Sequence, residues 1–206
     1  METALYRIKH NLPNRNFLGV LLECDEAKRY APSWRHPGTI RPINWGQHSP
    51  DFGLGIFTDG SKLNGQVGGA FNVFDPDHIG DFQFRLDNHC SVFQAELSAI
   101  KQALLWKQVH RPSTNCHLFT DSMSSLKALQ RFKPSNNLVE EIQGLIDGTI
   151  SFHWVKAHIG VAGNEVADKA AKEATTRQTV DLHLGFDCYV AQKPLVWLIF
   201  ILGFRR

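Results

Sequence analysis

Apolar and polar positions along the middle of the chain fall into a regular succession of strand-like and helix-like periods. Leu54 to Thr58 is a short apolar run that reads as a buried strand, and Asn64-Gly65 is a turn signal. Val67 to Phe74 reads as a second strand, with Gly68-Gly69 marking a close backbone approach. After the Asp75-Pro76-Asp77 turn, Phe82, Phe84 and Leu86 alternate with Gln83 and Arg85, a third strand with one wet face. The period then lengthens. From Gln94 to Val109, Leu97, Ile100 and Leu104 share one helical stripe, closed by Pro112. Cys116 to Thr120 predicts a strand, Ser122 to Phe132 a helix, Leu138 to Ile146 a short helix and Ile150 to Val155 a further strand. Gly163 to Thr175 is an Ala-rich helix whose buried face carries Val166, Ala167, Ala170, Ala171 and Ala174. The order β-β-β-α-β-α-α-β-α is that of an α/β fold, a mixed sheet with helices packed on it. Short turns between the first three strands make their pairing antiparallel.

Either side of this unit the pattern fades. Residues 1–52 hold five of the nine prolines and little periodicity, and read as an irregular leader or the remnant of an upstream module. The domain is expected over 53–176, with 177–206 as a C-terminal tail. In that tail the apolar run Leu195 to Phe204 ends in Arg205-Arg206. As a helix it would span only ~15 Å of a ~30 Å hydrocarbon layer, so no membrane partner is expected. The N-terminal apolar run Phe17 to Leu22 is too short for a signal-peptide core. The four cysteines (Cys24, Cys90, Cys116 and Cys188) are far apart and form no CxxC pair. They argue against a zinc ribbon or a disulfide framework, and for an intracellular, non-secreted protein whose compartment, nucleus or cytoplasm, stays open. The formal charge is +2 overall, yet residues 54–176 carry 11 Lys/Arg against 13 Asp/Glu. That balance excludes a strongly basic nucleic-acid grip.

Four acids stand out against this frame: Asp59 in FTDGS, Glu96 in QAEL, Asp121 in FTDS and Asp168 in the stretch HWVKAHIGVAGNEVADKAA. A buried strand should not end in an unpaired carboxylate, since burying an isolated charge costs several kcal/mol or more. Doing so at both Asp59 and Asp121 suggests neighbouring strand ends that share a cation. Ligands gather beyond the carboxyl ends of strands in open sheets. Glu96 is expected in the first turn of its helix, on the inward stripe, where the helix dipole favours an anion. Asp168 borders the apolar stripe of the last helix, whereas Glu165 falls on its far face. Each acid alone has an ordinary reading as a turn, a cap or a solvated edge. Four of them in this order point to a metal site.

As a set, FTDGS, QAEL opening a helix, FTDS and W-x-x-x-H-x-G-x-x-G-N-E-x-A-D resemble type 1 ribonuclease H. Their wording most resembles the ribonuclease H module of non-LTR retrotransposon polyproteins. The resemblance covers roughly residues 54–176. It implies a ribonuclease H-like fold, with a five-stranded mixed sheet of three antiparallel strands and then two parallel ones. It implies that Asp59, Glu96, Asp121 and Asp168 hold two Mg²⁺ ions, for which Mn²⁺ can substitute. Asp59 would bridge the pair, Glu96 and Asp121 would complete the first site, and Asp168 the second. His158 would sit on a loop beside them as a catalytic accessory, and Asn164 and Trp154 would support the site. The implied reaction is hydrolysis of the RNA strand of an RNA–DNA hybrid, leaving a 3′-hydroxyl and a 5′-phosphate. The other histidines show no metal spacing and read as surface or core residues.

Two departures from the family pattern matter. Cellular relatives carry polar amides four and three residues before the helix glutamate, where this chain has Val92 and Phe93. Substrate contact would then fall to the backbone or to Ser61, Asn64, Gln94, Ser122 and Asn164. The connector Lys133-Pro134-Ser135-Asn136 also lacks the basic protrusion of some relatives. A retroelement module can dispense with it when a reverse transcriptase module, in cis or in trans, holds the template. The competing reading is a catalytically silent nucleic-acid-binding module of the same fold. Such a copy would be expected to lose carboxylates, and this chain keeps all of them.

Overall fold

The computed structural model of the protein describes residues 15–17, 20–22, 43–45, 53–75, 77–131, 134 and 136–184. The apolar run 195–204 and the bulk of the leader lie outside the described residues. Within the leader, β1 (Arg15–Phe17) and β2 (Val20–Leu22) pair antiparallel. The periodicity predicts no element there.

The main sheet holds β3 (Leu54–Leu63), β4 (Gln66–Phe74), β5 (His78–Leu86), β6 (Cys116–Thr120) and β7 (Ile150–Trp154), in the order β5-β4-β3-β6-β7. Pairing is antiparallel from β5 to β3 and parallel from β3 through β6 to β7. This is the expected five-stranded mixed sheet. Strand β3 runs five residues past its predicted end because β4 continues to pair with it. The two-residue turn Asn64-Gly65, with φ of 50° and 79°, lets Leu63 face Gln66 and carries the ladder through polar positions.

Helix α1 (Val92–His110) starts earlier than the apolar stripe suggests. Ser91 caps it, accepting from the Gln94 backbone N–H, while the Gln94 side chain accepts from the Ser91 N–H. Helix α2 (Met123–Leu129) is shorter than predicted, since Gln143 on α3 (Asn137–Leu145) donates to the carbonyls of Leu129 and Arg131 and caps the end. Helix α4 (Ala162–Thr175) packs across β3, β4 and β5, whereas α1 covers β3 and β4 from the other side and carries α3 on its back.

The larger core lies under α1. Leu54, Ile56, Leu118 and Ile150 meet Leu97, Ile100, Leu104 and Ile142 there, all fully buried. Each such side chain contributes about 1.5–3 kcal/mol relative to exposure. The α4 side is thinner, built from Phe57 stacked on Phe119 with Val155, Ala167, Ala170 and Ala171. The Ala stripe is what lets α4 approach closely. A Cβ at Gly68 would stand 2.6 Å from the Ala171 carbonyl oxygen. A fully buried lysine, Lys107, ties the end of α1 to the approach to β7 through the Pro112 carbonyl, Asp147 and Thr149.

Packing extends beyond 53–176 at both sheet edges. Ile43 is buried in the larger core, and Asn44 bridges to β7 through Asn44 N–H to the Phe152 carbonyl (3.0 Å) and Trp154 N–H to the Asn44 carbonyl (2.9 Å). On the opposite edge, the Asp181 and Leu182 N–H groups donate to the Arg85 carbonyl, the Arg85 N–H donates to Asp181 Oδ2, and Leu182 and Leu184 pack on the core. No helix among the described residues is long and apolar enough to cross a membrane.

Candidate active site

Three of the four expected acids converge. One carboxylate oxygen each from Asp59, Glu96 and Asp121 lies within 4.8 Å of the others. Asp59 stands in the middle of β3, not at its end. The parallel pairing of β3 with β6 stops at Thr58 opposite Thr120, so one residue further Asp59 keeps β4 as its only strand neighbour. It is the end of β6 that opens the site, and Asp121 follows that end directly. The threonine before each aspartate stitches this junction. Thr58 Oγ1 donates to the Phe119 carbonyl at 3.4 Å, and Thr120 Oγ1 accepts from the Ser122 N–H at 3.2 Å.

Glu96 comes from the second turn of α1, not the first, because the helix begins at Val92. Its backbone lies against β3 at Gly60. A Cβ at Gly60 would fall 2.4 Å from the Glu96 nitrogen and 2.7 Å from the Ala95 carbonyl carbon, so only glycine admits the helix here. The signal for this residue was present in the TDG motif.

Electrostatically the cluster is unbalanced. Burial first, then the nearby Asp121 and Asp168 charges, push the Asp59 carboxyl from 3.8 up to about 7. Burial, Asp59 and Asp121 push Glu96 well above the usual carboxylate range. The Gly60 N–H opposes both shifts. Glu96 is only 7% exposed, and its Oε2 has no hydrogen-bond partner. Buried carboxylates facing each other with an orphaned oxygen are stabilised by a cation or by protonation. The donor set is all oxygen, which suits a hard divalent ion such as Mg²⁺ or Mn²⁺.

The surrounding residues orient the cluster. Buried Asn164, near the start of α4, donates from Nδ2 to Asp121 Oδ2 at 3.1 Å, while its own Oδ1 is unpartnered. Trp154 Nε1 donates to the Asp121 carbonyl at 3.1 Å. Asn72 of β4 anchors the first turn of α4 by donating to the Gly163 carbonyl at 3.0 Å.

Asp168 stands outside the three-acid group. Its Oδ2 accepts from Lys172 Nζ at 2.7 Å, one helical turn along α4, although both charges still act on Asp59. The pairing holds the Lys172 ammonium above its usual range. His158 is exposed, with φ of 56°, on the loop between β7 and α4, beside Gly160. Among the residues expected to meet substrate, Ser61 is half-buried on β3 and Asn64 is exposed at the hairpin tip. Gln94 is engaged in the α1 cap, and Ser122 is buried against Ser125 Oγ at 2.8 Å. The sequence reading also left unmarked a histidine pair on adjacent strands. His117 Nδ1 and His153 Nε2 lie 2.9 Å apart, and burial, followed by His117, lowers His153 to about 4.

The family model described as RNase H matches residues 53–176. Among solved structures, the chain is similar to RNase H1 from the halophilic archaeon Halobacterium salinarum NRC-1. Identity is 20%, the match covers 59% of this chain and 96% of that one, and the TM-score is 0.49. No curated protein matches the chain.

Proposed function

The chain belongs to the ribonuclease H family, and from that membership we propose that it is a metal-dependent endonuclease hydrolysing the RNA strand of RNA–DNA hybrids. The observation that carries this reading is the three-acid cluster itself. Carboxylates from β3, α1 and the end of β6 meet within 4.8 Å, with Glu96 Oε2 buried and unpartnered. A structural role would call for hydrogen-bond donors around these oxygens, and the site supplies few.

In this reading Asp59, Glu96 and Asp121 would hold one divalent ion, and Asp168 would help to hold a second. Mg²⁺ is the expected ion and Mn²⁺ a substitute. Bound there, the ions supply an activated water and charge stabilisation for an in-line phosphodiester displacement. The protein's own part is positioning. Asn164 and Trp154 set the Asp121 carboxylate, and the Gly60 contact sets Glu96 against β3. His158, exposed on its loop, would pass the proton that the attacking water loses to the departing O3′ as the P–O3′ bond breaks, or help release product. The products are a 3′-hydroxyl and a 5′-phosphate. Ser61, Asn64, Gln94 and Ser122 are secondary candidates for contact with the hybrid.

The wording of the motifs supports a retrotransposon origin. With Val92 and Phe93 ahead of Glu96, a reverse transcriptase module, in cis or in trans, is the partner expected to hold the template. The test is cleavage of an end-labelled hybrid by the full chain in Mg²⁺ and in chelator, beside Asp121→Asn. Cleavage that needs the ion and is abolished in the variant supports the reading. Retained cleavage by the variant at saturating Mg²⁺ would sink it, and a folded wild type that binds hybrid without cutting would leave the silent module.

A further inference from the structure

Asp168 does not face the acid cluster empty-handed: the Lys172 ammonium holds its Oδ2 at 2.7 Å. The two lie one turn apart on α4 and are coupled to Asp59 with opposite sign, Asp168 as a like charge and Lys172 as the cation that offsets it. Asp168 is outside the group of oxygens within 4.8 Å. From this juxtaposition we propose that Lys172 is a built-in competitor for the second divalent ion. It occupies Asp168 until that ion displaces it, and so it sets the weaker of the two binding steps. This rests on the metal-dependent reading given above.

The pair is suited to displacement. The Lys172 side chain is 50% exposed and that of Asp168 25% exposed. A lysine ammonium is a strongly hydrated point charge on a flexible stem, without the fork that fastens arginine to a carboxylate. A solvent-facing pair of this kind is weak and screened by salt, and a dication can overcome it. The first step feels this competition less, because Lys172 is bonded to Asp168 and reaches Asp59 only through space. Lys172 is therefore a positioning residue: it touches no reacting atom and acts through Asp168. At low ion concentration it leaves the site holding one ion with Asp168 neutralised.

The test is calorimetric titration of Mn²⁺, without nucleic acid, into the full chain and the variants Lys172→Met, Lys172→Arg, Asp168→Asn and Asp59→Asn. Wild type is expected to bind in a tighter and a weaker step. Lys172→Met should tighten the weaker step roughly three- to tenfold, about the strength of one exposed pair plus relief of repulsion, and leave the tighter one within about twofold. Lys172→Arg, whose fork grips a carboxylate at least as firmly, should bind the weaker ion no more tightly than wild type, and Asp168→Asn should lose the weaker step. The inference is overturned if Lys172→Met leaves that step unchanged or weakens it, or if binding is a single step in both wild type and this variant. It is equally overturned if Lys172→Arg behaves like Lys172→Met. Loss of Mn²⁺ binding in Asp59→Asn keeps the metal centre in place whatever Lys172 does. Wild-type binding by Asp59→Asn would remove the centre, and the inference with it.

Discussion

Replacing Asp59 by asparagine should make the metal-free protein more stable, and by an amount the structure sets. The carboxyl moves from 3.8 to about 7 on folding, because it is buried and because Asp121 and Asp168 stand nearby. That difference corresponds to roughly 4 kcal/mol against the ionised form. Asparagine removes the charge but keeps a buried polar group, so about 2–4 kcal/mol should be recovered, or on the order of 10 °C in Tm. The pH dependence fixes the sign. A folded pKa raised above the unfolded one puts the full penalty above pH 7, and the penalty fades as pH falls through 7 towards 3.8. The gap between Asp59→Asn and wild type in chelator should be largest at pH 8 and less than half as large at pH 5. His153, lowered to about 4, costs both proteins stability below 6.5 and cancels in the comparison. Added Mg²⁺ should raise the wild type, by about 2.7 kcal/mol at a hundredfold excess over Kd, and the variant much less. Thermal melts at the two pH values, with chelator and with Mg²⁺, read all of this. Equal melting at pH 8 in chelator, or a gap that does not shrink at pH 5, would refute the reasoning.

Trimming the chain to 53–176 should cost stability that 43–184 retains, since the shorter piece loses buried Ile43, the Asn44 bridge to β7 and the Arg85–Asp181 contacts; equal urea midpoints for the two fragments would show that these edge contacts are idle. Gly60→Ala should destabilise by about 2 kcal/mol or more, because its Cβ meets the backbone of α1 at 2.4 Å and cannot be relieved by a side-chain rotation. Urea unfolding of the metal-free variant tests this, and wild-type stability would count against the close approach. Binding of Asp121→Asn to hybrid in Mg²⁺ should fall only gently with salt, given 11 basic against 13 acidic residues over 54–176. A steep slope would point to Arg35 and Arg41, which lie outside the described residues, as part of a grip.

Strand and helix order was legible because alternation and the Leu97, Ile100, Leu104 stripe each serve one buried face. The Gly68-Gly69 signal was legible for the same reason: small residues in an apolar run have few explanations other than close packing. Asp59 was misplaced at a strand end because the apolar pattern stops there, whereas pairing with β4 carries β3 on to Leu63 through polar side chains. Glu96 was placed a turn too early because the cap at Ser91 precedes the first stripe residue. The edge contacts at Asn44 and Leu182 are single backbone bridges, which leave no period in the side chains. His117 and His153 lie 36 residues apart and meet only across β6 and β7. Lys172 stands four residues from Asp168, a spacing that places two helix side chains together, yet the motif drew attention only to the acid.

The parallel seam between β3 and β6 also orders events during folding. The hairpins of β3, β4 and β5 close over turns of a few residues, so they form cheaply and early. The bond from Thr58 to the Phe119 carbonyl spans 61 positions, with the whole of α1 in the loop it closes. Only when that long loop closes does Asp121 arrive beside Asp59 and Glu96. The Asp121 charge therefore joins the repulsion that Asp59 and Glu96 already exert on each other only when that loop is closed. The three-way acidic contact thus belongs to the long-range closure and not to the local hairpins.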